Sequence, residues 1–427
     1  MRRKMSSVNP EQPRTPKARR TRQRILDAAA RLLRERGYAE TTLEQISVLA
    51  ELRAPTVYYY FKSREALIKE VVSSGAREGA TELNNALRAL PPETDPLDKL
   101  GTLIDAHLRV VTARSNLVSA RIRNLSQLPA QLRKAHLREE RELLSIWTGV
   151  VDAITERSRT MDRSDASTVL MLNLGSMAWA SEWWAPGKRP PIDTVIRTAQ
   201  IMMARGMTPS RKVQHPCSSD SLPPHDDSPE ASEPKSAQTR ARILRAAADI
   251  IALRQYAGTR LTDIAEAAEL QYQTIYYYYE TKEALIGEVV RKGIVHTRER
   301  IRETIEALPA GTTGRLKLLV AIRVHLETLL RDCPFAFVAI RNLVRLPQEH
   351  WPELMVEQDA YEAIWRRLVE EGLSDGSISQ DLNAECTVML LVGGLDMMPE
   401  WWTPDQPPLD NLVLAIQRFA DAALRVW

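Results

Sequence analysis

The chain has 427 residues, 44% of them hydrophobic and 26% charged, with a formal net charge of +3. That length supports two or more domains with their own cores, and no apolar run reaches the roughly 18 to 20 residues a membrane span requires. The basic start Met1-Arg2-Arg3-Lys4-Met5 leads into no apolar stretch, which argues against a secretory signal, while three scattered cysteines, Cys217, Cys333 and Cys386, argue against disulfides or a zinc cluster and favour a reduced cytoplasm.

The first two dozen residues carry nine basic side chains, among them Arg19, Arg20, Arg22 and Arg24, with Glu11 the only acid. Such an arm reads either as an electrostatic footprint for a phosphate backbone or as a solvated tail. A first helix follows, its apolar face marked by Ile25, Leu26, Ala29, Leu32 and Leu33 and its end by Gly37. Thr41 and Thr42 can cap a second helix, with Glu44 and Gln45 placed to complete a capping box. A short third helix holds Tyr58, Tyr59 and Tyr60, and Ser63 caps a fourth that runs to Pro91. Asp95-Pro96 starts a fifth, and amphipathic segments cover about 115–127, 130–158, 165–184 and 191–206. No segment alternates as a strand does, so the predicted fold is all-α.

Between Thr208 and Ser236, prolines alternate with serines and apolar residues are sparse, the composition of a flexible linker. Beyond it the first half of the chain recurs without insertion. Thr21-Arg22-Gln23-Arg24-Ile25-Leu26 returns as Thr239-Arg240-Ala241-Arg242-Ile243-Leu244, 218 positions on (239 minus 21). The same offset carries Thr56-Val57-Tyr58-Tyr59-Tyr60-Phe61 onto Thr274-Ile275-Tyr276-Tyr277-Tyr278-Tyr279, and Glu182-Trp183-Trp184 onto Glu400-Trp401-Trp402. A period of this size is a duplicated domain, as if a two-fold dimer had been fused into one polypeptide. The expected divisions are an arm at 1–15, a head domain at 16–78, a helical domain at 79–207, a linker at 208–235, and a second pair of domains at 236–296 and 297–427.

Ile46, Ala50, Leu52 and Val57 have the spacing with which two short helices lock around a small core, as do Ile264, Ala268, Leu270 and Ile275. This is a helix-turn-helix, whose second helix enters the major groove with its N-terminal residues on base edges. The pattern from Thr42 through Thr56-Val57-Tyr58 to Glu65-Ala66-Leu67, present twice, resembles the tetracycline-repressor family of bacterial regulators. The resemblance implies two three-helix DNA-binding domains, each followed by a helical domain that binds an effector and mediates dimerisation. Carried over by position, Thr42, Arg53, Ala54, Pro55 and Thr56 approach DNA in repeat one, with Tyr58, Tyr59, Tyr60 and Arg64 toward phosphates. Repeat two offers Gln271, Tyr272, Gln273, Thr274, Tyr276, Tyr277, Tyr278 and Lys282. One tyrosine of each triplet is expected to be largely buried and at least one to reach DNA. Where the family has glycine in the turn, this chain has Glu51 and Glu269, and Glu280 replaces Lys62 beside the phosphates.

Ile122-Arg123-Asn124-Leu125-x2-Leu128-Pro129 and Glu182-Trp183-Trp184-x-Pro186 further resemble a subgroup that controls fatty-acid and steroid catabolism and senses acyl-CoA thioesters. The candidate effector residues are His107, Arg123, Asn124, Trp147 and Trp179, with His325, Arg341, Asn342 and Trp365 in repeat two. Each has a plainer reading: the aromatic rings as core packing, the histidines as hydrogen-bonded core residues, and Arg123 as a partner of Glu182. No glycine-rich phosphate loop, zinc spacing or nucleophile motif points to an enzyme, and no cofactor is expected. The expected partners are a double-stranded operator with unequal half-sites and a small-molecule effector, with no membrane. The chain is expected to act as a monomeric pseudo-dimer, further dimerisation remaining open. An activator, or an interaction adaptor on the same scaffold, are the alternatives.

Overall fold

The computed structural model describes residues 15–124, 128–187, 189–208, 234–342, 346, 351–402 and 408–426, without the side chains of 135, 136, 254–257, 340–342 and 351. The basic residues before position 15 and nearly all of the linker thus lie outside the described residues. Every extended element among those described is helical, in the order the apolar spacing predicts. The residues fall into two compact units: Met1–Arg77 with Asn116–Glu140, and Glu78–Ser115 with Arg141–Trp427.

The first unit holds one DNA-binding head. Helix α1 spans Pro16–Glu40, with Thr15 accepting a hydrogen bond from the Ala18 amide and proline at the first turn. Gly37 leaves helical geometry at φ 80°, so the regular helix stops where the sequence predicts. Helices α2 (Leu43–Leu49) and α3 (Ala54–Tyr60) form the helix-turn-helix, and α4 (Arg64–Arg88) leads away from it. Ile25, Leu33, Ile46, Val57, Leu67 and Ile68 are fully buried in the shared core, which also takes in Leu117 and Ala120 of α6 (Ser115–Asn124). Burying each large side chain of this kind stabilises by about 1.5–3 kcal/mol.

In the second unit lie the rest of repeat one's bundle and all of repeat two. From repeat one come α5 (Pro96–Ala113), the body of α7 (Ala130–Ser158), α8 (Arg163–Trp183) and α9 (Ile192–Gly206). Repeat two repeats the pattern as α10 (Lys235–Gly258), α11 (Leu261–Ala267), α12 (Tyr272–Tyr278), α13 (Lys282–Glu306) and α14 (Gly314–Glu327). It continues with α15 (Pro334–Asn342), α16 (Trp351–Ser374), α17 (Ala384–Asp396) and α18 (Leu409–Leu424). A π-helical turn at Thr328–Asp332 sits between α14 and α15.

Helices α8 and α9 of repeat one pack against α17 and α18 of repeat two. Every residue of α17 from Cys386 to Asp396 is buried, as expected of a helix that is apolar nearly all round. Small residues let the backbones approach. A Cβ added to Gly393 would stand 2.5 Å from Trp179 Cδ1, and one on Gly175 would stand 2.8 Å from Met397 Cβ. These two contacts exchange under the 218-residue offset, Gly175 with Gly393 and Trp179 with Met397. Ser176 donates to the Leu390 carbonyl across the interface at 2.5 Å. At its rim, Arg205 meets Asp381 at 2.7 Å, Arg189 meets Glu385 at 2.8 Å and Arg418 meets Asp165 at 3.2 Å.

Candidate nucleic-acid interface and effector cavity

Each reading helix starts from a sharp turn. Thr42 closes the capping box with Gln45, its hydroxyl accepting from the Gln45 amide at 3.3 Å and its own amide donating to Gln45 Oε1 at 3.0 Å. Arg260 stands at the equivalent place in repeat two and makes no side-chain cap. Glu51 and Glu269, in the turns that follow, both adopt φ 53°. The left-handed conformation that the family's glycine would take is therefore kept, at a cost of about 1 kcal/mol. An arginine of the preceding long helix braces each turn. Arg24 donates to the Ala50 carbonyl at 2.6 Å, and Arg242 to that of Ala268 at 2.5 Å. Arg24, grouped with the phosphate-binding arm from sequence, is thus part of the head's internal frame. So is Arg22, which pairs with Glu70 at 3.1 Å and lies over the Phe61 ring.

Arg53 and Gln271 occupy the N-cap positions of α3 and α12, and both are exposed. Ala54, Pro55 and Thr56 form the first turn of α3, and Tyr272, Gln273 and Thr274 take their places in α12. The Tyr272 and Tyr276 hydroxyls lie 2.8 Å apart with their rings edge to face, so these two exposed phenols of α12 form one polar unit. Repeat one has Ala54 where Tyr272 stands and cannot form it.

Tyr59 and Tyr277 are the most exposed of the triplets, at 74% and 83%, while Tyr58 and Tyr276 are about half exposed. Tyr60 and Tyr278 are the most buried of the triplets, though not fully so. The aromatic that seats each reading helix in its core is instead the fourth of the run, Phe61 or Tyr279, each 5% exposed. Tyr60 still packs against the head's core, as the expectation of one largely buried tyrosine in the triplet has it, with the fourth aromatic buried deeper. The cause is helical phase: Val57 and Phe61, four residues apart, share the inward face.

Arg64 also differs from the expectation. Its guanidinium donates to the Thr41 carbonyl at 2.5 Å and to the Tyr38 carbonyl, and lies 4.3 Å from the Tyr38 ring centre. It ties α4 to the end of α1 instead of standing free for phosphate. Lys282, its counterpart, begins α13 and is half-buried.

The effector candidates divide as well. Arg123 donates to the Arg34 carbonyl at 3.0 Å, and buried Asn124 donates to the carbonyls of Leu33 and Ala120 at 2.9 and 2.8 Å. Both secure the C-terminal part of α1, within the head's own unit, and neither lines the cavity described below. The side chains of Arg341 and Asn342 lie outside the described residues. His107 and Trp147 are buried together, ring centres 5.5 Å apart. Trp183 is buried, and Trp184 donates to the Pro190 carbonyl at 3.1 Å, in keeping with a packing role.

His325 and Trp179 line a cavity in the second unit, and Trp365 lies edge-on to the imidazole behind it. The cavity has a volume of about 50 Å³ and opens in part to solvent, with Ile294, Ala336 and Ala339 among its walls. That leaves room for a few water-sized groups, with further space toward the opening. Thr297, His325, Gln358, Tyr361 and Asp396 bring polar atoms to the lining. The Tyr361 hydroxyl stands 3.0 Å from His325 Nδ1. Burial first, then the charge of Asp396, pushes the Tyr361 phenol well above its ordinary value, so it keeps its proton. Sequence reading missed Tyr361 and Asp396. The signal was present in the repeat, which has Leu143 and Ala178 at the same places.

A helix-turn-helix head followed by a helical bundle, built twice in one chain, defines a DNA-binding regulator of the ligand-sensing kind. Residues 25–71 and 243–289 match the family described as "Bacterial regulatory proteins, tetR family", and residues 93–207 and 311–422 match "Tetracyclin repressor-like, C-terminal domain". The chain belongs to the tetracycline-repressor family. Among its relatives, the HTH-type transcriptional repressor KstR2 of Rhodococcus jostii is 26% identical over 170 residues, covering 39% of this chain and 80% of that protein. The fatty acid metabolism regulator protein of Bacillus subtilis is 24% identical over 174 residues, covering 41% and 88%. A solved structure of KstR2 of Mycobacterium tuberculosis, 16% identical with a TM-score of 0.40, covers 46% of this chain and 99% of its own.

Proposed function

We propose that the chain is a repressor that occupies one operator with two unlike reading heads and leaves it when a small effector enters the helical bundle. The observation that carries this is the pair of exposed helix starts, Arg53-Ala54-Pro55 and Gln271-Tyr272-Gln273, presented by heads that are otherwise alike. A guanidinium pairs well with guanine and a carboxamide with adenine, so the two heads favour different bases. A homodimer must present identical heads to a palindrome, whereas a fused pair is free to diverge. The packing of α8 and α9 on α17 and α18 supports a monomeric pseudo-dimer, because the face through which two bundles associate is already covered within one chain.

Release is a population shift, in which the effector binds more tightly to the conformation whose heads no longer fit successive grooves. The fatty acid metabolism regulator among the relatives points to an effector of the lipid-metabolite class. The chain's work on this reading is binding, with no turnover. Footprinting on DNA from its own promoter tests the reading: two adjoining half-sites of different sequence support it, and two identical half-sites protected equally would contradict it.

A further inference from the structure

We propose that the chain has a single effector site, in repeat two, and that this site takes a small, largely apolar molecule bearing an alcohol or phenol hydroxyl. The inference deepens, and rests on, the reading of the chain as a ligand-released regulator.

His325 is fully buried and Asp396 is 9% exposed. His325 Nε2 and Asp396 Oδ1 stand 3.3 Å apart, yet neither atom makes an aligned hydrogen bond among the described residues. Burying two such atoms without partners is costly, and both belong to side chains that line the cavity. The 3.0 Å contact between the Tyr361 phenol and Nδ1 fits the tautomer in which the phenol donates and Nε2 carries hydrogen, the one that the Asp396 oxygen beside Nε2 favours. The cavity therefore offers one donor and one carboxylate acceptor side by side. A hydroxyl satisfies both, accepting from Nε2 and donating to Oδ1. A carbonyl leaves the carboxylate unmet, and a carboxylate ligand is repelled by Asp396. Among the described residues no third potential metal ligand joins the pair, so its chemistry is that of a hydrogen-bonding site.

Repeat one keeps the histidine and the tryptophan but none of the other polar residues of the lining. Leu143 and Ala178 stand where repeat two has Tyr361 and Asp396. The places of Ala339 and Gln358 are taken by Arg121 and Glu140, joined as an ion pair. The duplication has thus left the polar cluster on one side only. Trp179, from repeat one, walls the site and also lies on Gly393, so an occupant touches both repeats at their seam.

The test is calorimetric titration of the full chain with octanol, cyclohexanol and phenol, and with octanoic acid and octanoyl-coenzyme A. The expected result is binding of at least one alcohol at one molecule per chain, tighter than the acid or the thioester. Asp396→Ala and Tyr361→Leu, which copy residues repeat one already carries, should weaken that binding by about tenfold or more. Thermal unfolding and operator binding without ligand check that both variants fold. Two molecules per chain, preference for the acid or thioester, unchanged affinity in the folded variants, or no alcohol binding would each overturn the proposal. Failure of the free chain to bind any operator would instead overturn the regulator reading itself.

Discussion

Trp179 of repeat one rests on Gly393 of repeat two, with its Cδ1 2.5 Å from where a Cβ would stand, while its ring also walls the cavity. One side chain thus belongs at once to the seam between the repeats and to the site beside it. Its counterpart on the other side, Met397 on Gly175, repeats the seam contact with a flexible side chain. A ligand in that site would therefore press on the seam through Trp179.

Gly393→Ala should disrupt that seam. The added methyl overlaps an indole held on both sides, and overpacking of this kind costs about 1–3 kcal/mol. Urea unfolding should show the loss. Gly287→Ala, a helical position with nothing within 4 Å of the new Cβ, should be neutral or slightly stabilising.

The turns of the reading heads make a second prediction. Glu51 and Glu269 hold φ 53° against the preference of any residue with a Cβ. Glycine at either place relieves about 1 kcal/mol of strain and returns part of it as unfolded-chain entropy, so Glu51→Gly should be neutral to mildly stabilising. Glu51→Val, with a β-branched side chain, should be clearly destabilising. Equal melting temperatures for the two variants would contradict the assignment of strain.

Arg53→Ala and Gln271→Ala should act on different halves of the operator. Each removes a candidate base contact worth about 1–3 kcal/mol of discrimination. Protection should weaken at one half-site in the first variant and at the other in the second, as read by footprinting. Loss at both half-sites in either variant would count against independent readers.

Acid should loosen one end of the seam. The hydrogen bond from Arg205, then that of Ser379, holds the Asp381 carboxyl below its ordinary value of 3.8. For a carboxyl lowered by folding, the stabilisation is present above the unfolded value and is lost as pH falls through the folded one. The urea midpoints of the wild type and Asp381→Asn should therefore differ near neutral pH and converge below about pH 4. A difference that persists in acid would show that the carboxylate is not its source.

The helices were legible because their apolar residues recur at helical spacing, and because Gly37, Thr42 and Asp95 mark their ends in ordinary ways. Asp95 does cap α5, accepting from the Leu97 amide. Residues whose partners are backbone carbonyls were harder to read. Arg64 was expected at phosphates, and Arg123 and Asn124 at the effector, because the family resemblance carried those roles to their positions. Those partners, the carbonyls near the end of α1, leave no mark in a sequence. Tyr361 and Asp396 were missed. Tyr361 is one polar residue among many on α16 and Asp396 ends an apolar run of α17, and only the fold brings either to His325.

The most direct test of the account is the mass of the full chain bound to DNA from its own promoter, measured by light scattering. One chain per operator is the predicted result, two heads in one polypeptide filling two half-sites. Two chains per operator would mean four heads on the DNA and would contradict the fused pseudo-dimer.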